Sequence, residues 1–474
     1  MSVQEFDIVV IGGGPAGHKA AVQAGKAGRS VLLIDRQKML GGECVHRGTI
    51  PSKTLHDAAS GYLHLKNHSA RLFDVEVQSG LRVNTLMERL DTVREAQADV
   101  MSDQLKRNGI ERWHGRARFV DDFELIVEGS HRRETRIRGE HILVATGSRP
   151  RVPDNVPIDH EHILDSDSLL SLIYLPTSLT VLGGGVIACE YATIFAALGV
   201  DVTMVDRGKR PLAFMDEELV DHFLSEFEAM GGRFLASCEL DRVEYGDESI
   251  VRTVLQSGET IESEKLLCAL GRVTCAHELD IEKAGVSLDG RGVIEVDDRY
   301  RSSVPHIYAA GDAIGAPALA ASAMEQGRIA MRDVLGLESQ GNLDSLPIGI
   351  YTIPEMASVG LTEAAAIEAH GSVLVGRAAF AEVARSQISS DTTGVLKMVA
   401  SPDGSRILGV HIVGHAAVEL IHLAQMAILS EHAPEVFIEN TFNFPTMAEA
   451  YRVAALQIKQ AAAKESAQES RLPC

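Results

Sequence analysis

Closely spaced cysteines are missing from this chain. Its six cysteines, Cys44, Cys189, Cys238, Cys268, Cys275 and Cys474, are scattered over 474 residues with no Cys-x-x-Cys step. That argues against a zinc site or a secreted disulfide framework and favours a reducing cytoplasm. Positive charge is also scarce: 45 Lys and Arg against 66 Asp and Glu leave a formal net charge of −21. Nucleic acid and an anionic membrane surface are therefore excluded as main partners. The N-terminus enters an apolar strand without the basic stretch of a secretory signal. The most apolar stretch, residues 181–200, has three glycines near its start and is broken by Glu190. It reads as strand, turn and helix, not as a membrane span. His411, His415 and His422 lack the spacing of a metal site, so no metal is expected. The single tryptophan, Trp113, is assigned to packing.

What the chain does have is glycine at diagnostic places. A chain of this length is expected to divide into two to four domains. Residues 6–11 form a short apolar strand that runs into Gly12-Gly13-Gly14-Pro15-Ala16-Gly17. Gly12, Gly14 and Gly17 occupy the G-x-G-x-x-G positions, which permit a tight turn, close approach of a pyrophosphate, and close helix–strand packing. A small-residue helix follows, and a second strand ends in Asp35, where an acid accepts hydrogen bonds from ribose hydroxyls. The unit recurs at Gly183-Gly184-Gly185-Val186-Ile187-Ala188, after strand 178–182 and before strand 201–205, which ends in Asp206. Ala188 stands in for the third glycine, an allowed variant. Two such units imply two bound dinucleotides.

The end of the second unit leaves coenzyme choice open. Asp206 favours the plain ribose of NAD, whereas Arg207, Lys209 and Arg210 could neutralise the 2′-phosphate of NADP. The same basic run reads equally well as a solvated loop. Two further strand ends carry nucleotide signals. Ala145-Thr146-Gly147 looks like a crossover between the units, and Gly311-Asp312 offers a close backbone approach and a carboxylate for a ribityl hydroxyl.

Residues 41–53, Gly-Gly-Glu-Cys-Val-His-Arg-Gly-Thr-Ile-Pro-Ser-Lys, contain one sulfur, Cys44, with Thr49 five residues on. This segment, the two glycine motifs, Asp165-Ser166-Asp167-Ser168, Gly349-Ile350-Tyr351-Thr352-Ile353-Pro354-Glu355, and the run from Thr441 to Leu456 resemble the two-dinucleotide flavoprotein disulfide reductases. The match covers nearly the whole chain and is nearest to the soluble, Si-specific transhydrogenase branch of that family. The resemblance implies an α/β fold with two Rossmann-like domains, for FAD and NAD(P), and a C-terminal α+β dimerisation domain. The FAD domain is expected over 1–150 and 271–342, the NAD(P) domain over 151–270, the interface domain over 343–460, and a flexible tail over 461–474. FAD is the implied cofactor, with Gly42, Gly147, Gly271, Gly311 and Asp312 among the residues that hold the nucleotides. NADP(H) and NAD(H) are the implied substrates, and the chain itself is the implied partner, as a homodimer or higher oligomer.

The resemblance also has two gaps. Family members carry a second cysteine where Thr49 stands, and a histidine where Phe444 stands, oriented by the acid at Glu449. A dithiol couple needs two sulfurs, and phenylalanine moves no proton. What survives is hydride transfer between nicotinamides through the flavin. In the family the lysine at Lys53 lies near flavin N5, paired with the glutamate at Glu190, so both are assigned to catalysis. Cys44 is kept as a candidate beside the flavin. It reads either as a packed remnant or as a thiolate serving a single-cysteine NAD(P)H oxidase or peroxidase. An oxidoreductase like dihydrolipoyl dehydrogenase with an altered acceptor, and a redox-sensing binding protein, are the other readings. Cys474 would need Cys44 as its partner to play any redox part.

Overall fold

The protein is described by a computed structural model, which covers residues 3–69, 83–129, 133–246, 249–338, 343 and 345–469. Three main sheets organise it. In the first, strand Gln4–Ile11 lies between Val31–Asp35 and Glu134–Val144, parallel to both. Glu111–His114 extends one side, and Glu124–Glu128 with Arg116–Phe119 extends the other. Ile307–Ala309, far along the chain, pairs in parallel with the end of Glu134–Val144. The segment Val31–Asp35 is buried throughout because parallel strands are covered on both faces, while Glu124–Glu128 alternates, as an antiparallel strand near a sheet edge does.

The second sheet is parallel, in the order Arg233–Leu235, Asp201–Val205, Ser178–Leu182, Lys265–Cys268, Ile163–Asp165. Its glycine-motif helix, Val186–Ala197, is buried from Ala188 onward. A helix apolar on all sides belongs in a core, which explains why the stretch 181–200 is so apolar. No helix among the described residues is long and apolar enough to cross a membrane. The third sheet is antiparallel, in the order Ile348–Ile350, Met356–Gly360, Ile407–Gly414, Gly394–Ala400, Leu374–Ala379, with helices Ala417–Leu429 and Glu449–Glu469 packed on it. That last helix continues to Glu469, where the sequence reading expects a flexible tail from residue 461. Cys474 lies outside the described residues.

A buried ion cluster joins the second and third sheets. Lys397 sits in strand Gly394–Ala400 with its side chain 4% exposed. It donates to Asp216, the N-cap of helix Glu217–Ala229, at 2.8 and 3.0 Å, and pairs with Glu363 at 2.7 Å and Glu218 at 3.1 Å. Burial alone would lower the Lys397 amine, but these hydrogen bonds outweigh it and hold it above its ordinary value. Removing one partner from a buried ion group leaves the others uncompensated. Lys397→Met should therefore destabilise the protein by ~3 kcal/mol, seen as a lower urea midpoint. An unchanged midpoint would show that the cluster contributes nothing.

Candidate active site

The two glycine motifs are built alike, for the same steric reason. Gly12 has φ +110°, and a Cβ there would lie 2.2 Å from the Ala145 carbonyl oxygen of the neighbouring strand. Gly183 has φ +115°, with Ala269 O 2.6 Å from its would-be Cβ. The third positions differ. A Cβ on Gly17 would sit 1.9 Å from Gly12 O, whereas the second turn leaves room for the Ala188 methyl. Both motif helices, Pro15–Lys26 and Val186–Ala197, start with no side-chain cap and no acid in the first turn. By contrast, Glu217–Ala229 and Glu363–His370 are capped by Asp216 and Thr362. Uncapped N-termini leave N–H groups available to an anion.

One cavity of about 1250 Å³ connects both helix ends. That exceeds the roughly 300–1,000 Å³ of a single small-molecule site. Gly12, Gly14, Asp35, Gly42, Gly147, Gly311 and Asp312 line one part of it, Cys44, Lys53 and Glu190 the middle, and Gly183, Gly185, Asp206, Arg207 and Gly271 the other. Gly17 does not line the cavity; its place is under the turn. Gly42 packs its backbone against Gly14, where a Cβ would come within 2.9 Å of the Gly14 Cα, so the Cys44 segment lies against the first phosphate loop. Asp35 accepts from Gly13 N at 2.6 Å, and burial pushes its carboxyl up against those backbone bonds. Asp312 is held by the Ser148 hydroxyl, itself bonded by Arg272 Nε at 2.7 Å. A joined cavity with an uncapped helix at each of its two glycine turns fits two dinucleotides, one at each turn.

Of the basic run after Asp206, Arg207 lines the cavity, but Arg210 is committed to Asp221. Asp206 uses Oδ1 to hold Gly208 N at 2.6 Å. The run is thus not a single phosphate clamp.

At the centre, Lys53 Nζ meets Glu190 Oε1 and Oε2 at 2.6 and 2.8 Å, across 137 residues of sequence. Ser52 Oγ donates to Glu190 Oε2 at 3.1 Å. Cys44 is half-buried. Burial pushes its thiol up, and hydrogen bonding to Thr49 and the nearby Lys53 charge oppose this only in part. The five described cysteines are all free. Phe444 is 67% exposed, and one oxygen of Glu449 is buried without a partner. Among the described residues no group of three or more His, Cys, Asp or Glu side chains is placed to hold a metal.

The family profile described as "Pyridine nucleotide-disulphide oxidoreductase" matches residues 6–327, and its dimerisation-domain profile matches residues 346–455. The chain belongs to the pyridine nucleotide-disulphide oxidoreductase family. Among curated members, it is 41% identical to a protein of Mycobacterium bovis (strain BCG / Pasteur 1173P2) named soluble pyridine nucleotide transhydrogenase, over 96% of this chain and 97% of that protein. A Hahella chejuensis protein of the same name is 38% identical over 96% and 98%. Among solved structures, LpdA from Mycobacterium tuberculosis superposes with a TM-score of 0.87 at 27% identity, covering 96% of this chain and all of that one. The HOCl-induced flavoprotein disulfide reductase RclA from Escherichia coli gives 0.86 at 26% identity, over 95% and 99%. The fold expected from the sequence, two Rossmann-like domains and a C-terminal α+β domain, is the fold of this family.

Sequence reasoning passed over a polar cluster beside the redox segment. Arg47 lies 3.2 Å from Glu43 and 3.6 Å from Asp167, while Glu43 Oε2, Asp167 Oδ1 and the Tyr191 hydroxyl are buried without partners. Glu43 and Arg47 are four residues apart, but no spacing rule links them to Asp167 or Tyr191. Burial, then the Glu43 carboxylate, pushes the Asp167 carboxyl up to about 6 from 3.8, against Arg47 and Arg272. Between those values the folded protein keeps a proton that the unfolded chain has lost. Stability therefore falls as pH rises from about 4 to about 6 and stays lowered above. Asp167→Asn should stabilise the protein by ~2 kcal/mol at pH 8, with the gain vanishing near pH 4, in urea titrations at both pH values. A gain equal at both would refute this origin.

Proposed function

We propose that this chain is an FAD-dependent NAD(P) transhydrogenase, moving hydride reversibly from NADPH to NAD in ping-pong fashion through a single nicotinamide site. The observation that carries this reading is the Lys53–Glu190 pair beside a single thiol, Cys44, with Thr49 where a second sulfur would stand. Bound FAD supplies the two-electron relay between the nicotinamides. Lys53 places a positive charge where negative charge develops, and Glu190 and Ser52 hold it there. The N-terminus of helix Val186–Ala197 and Asp206 would seat the nucleotide, and Arg207, which lines the cavity, would supply a cation for a 2′-phosphate. Cys44 takes no part in the chemistry. Its raised thiol leaves little thiolate at neutral pH, which counts against the oxidase or peroxidase reading. With Thr49 in place of a second sulfur, a dihydrolipoyl dehydrogenase-like route has no dithiol to use.

The reading is supported by the curated relatives named soluble pyridine nucleotide transhydrogenase. Two copies associate through the dimerisation domain, where Met426, Leu429 and Phe444 stand exposed on the single chain. Free cysteines suit the reducing cytoplasm as its location.

Anaerobic stopped-flow tests the reading directly. NADPH should bleach the flavin with one hydride equivalent per chain, and thio-NAD should restore the colour rapidly. Uptake of a second equivalent would reveal a hidden disulfide and overturn the proposal. Lys53→Met should slow flavin reduction by roughly 10²-fold. Cys44→Ala should keep exchange within about threefold; loss of exchange in that variant would restore a chemical role to the thiol.

A further inference from the structure

Glu190 is not all that holds Lys53. Its ammonium also lies 4.8 Å from the centroid of the Tyr351 ring and 3.2 Å from Ser52 Oγ. Tyr351 comes from the third sheet, just after strand Ile348–Ile350, and it lines the central cavity. Its backbone cannot shift independently of the ion pair. Tyr351 N donates to Glu190 Oε1 at 3.0 Å, and Ile353 N donates to Thr193 Oγ1 at 3.2 Å, one helical turn further along Val186–Ala197. The Thr352 carbonyl lies 3.1 Å from His56 Nε2 on helix Thr49–His64, and the His56 ring meets the Tyr351 ring edge-on, centroids 5.6 Å apart. Segment 351–353 is thus fastened to both helices that carry the ion pair.

A carboxylate alone would leave the long lysine side chain free to swing around it. An aromatic face on another side attracts the cation through its quadrupole and costs little desolvation. The ammonium is then confined between ring and carboxylate, and its charge falls at one place in the cavity.

We infer that Tyr351 is a positioning residue that fixes the Lys53 ammonium through its ring face, so that a strand end of the dimerisation domain sets the charge felt by the flavin. The inference rests on the transhydrogenase reading, in which FAD lies beside Lys53.

The test is the flavin reduction equilibrium of the holoprotein against a reference dye. Tyr351→Leu keeps the backbone donor to Glu190 and removes the ring. It should lower the ratio of reduced to oxidised flavin about 3- to 10-fold at fixed dye poise. Tyr351→Phe should leave that ratio at the wild-type value. In a Lys53→Met background, Tyr351→Leu should add no further shift, because the ring acts only through the ammonium. Should Tyr351→Leu fail to retain FAD, fluorinated phenylalanines at position 351 decide the matter. They keep the ring shape while weakening the quadrupole, and the ratio should fall stepwise with each fluorine. A flat series, or a Leu shift that persists without Lys53, overturns the inference. A wild-type protein that holds FAD but exchanges no hydride would instead defeat the functional reading and leave the electrostatic result standing.

Discussion

Glu190 is 3% exposed, yet its two carboxylate oxygens take hydrogen bonds from Lys53, Ser52 and the backbone of Tyr351. A buried carboxylate with an empty acceptor site is costly, and a fully bonded one is tolerated. These donors come from the helix after the first nucleotide strand pair and from the start of the third sheet, while the acceptor sits on the glycine-motif helix of the second sheet. The requirement to satisfy one acid therefore brings three parts of the fold into register at the place where the cavity sections meet. The Lys397 cluster repeats the device farther out, tying the capped start of helix Glu217–Ala229 to the third sheet.

The site's chemistry follows from what surrounds that acid. Thiol exchange needs a thiolate, a second sulfur and a proton carrier. Here the thiol is raised by burial, and in the family pattern the second sulfur's place falls on Thr49 and the proton carrier's on Phe444. Hydride transfer needs none of these. It needs two rings held in contact, which one joined cavity can do, and a charge nearby, which the paired lysine lining it provides. Losing the sulfur chemistry leaves the electrostatics in place, because Lys53 and Glu190 meet each other directly and neither needs a second sulfur.

Much of this was legible in the chain. Gly12 and Gly183 mark the phosphate turns because no other residue tolerates their φ beside the Ala145 and Ala269 carbonyls. The role of Lys53 and Glu190 came through family likeness, since nothing in their spacing joins them. The basic run after Asp206 reads from sequence either as a 2′-phosphate clamp or as a solvated loop, and the fold divides it: Arg207 lines the cavity and Arg210 pairs with Asp221. Asp167 and Tyr351 were quoted within motifs but given no part, because burial and cross-sheet contact leave no local pattern.

By itself the sequence determined which backbone turns can approach a phosphate, which apolar strands lead into them, and, set beside the family pattern, which sulfur and imidazole are absent. Those are properties of single residues and of short-range sterics. The tertiary structure alone decided which charges meet. Setting the Tyr351 ring against Lys53, raising the Asp167 carboxyl and pushing up the Cys44 thiol all depend on desolvation and on contacts between segments far apart in the chain, which no local stretch encodes.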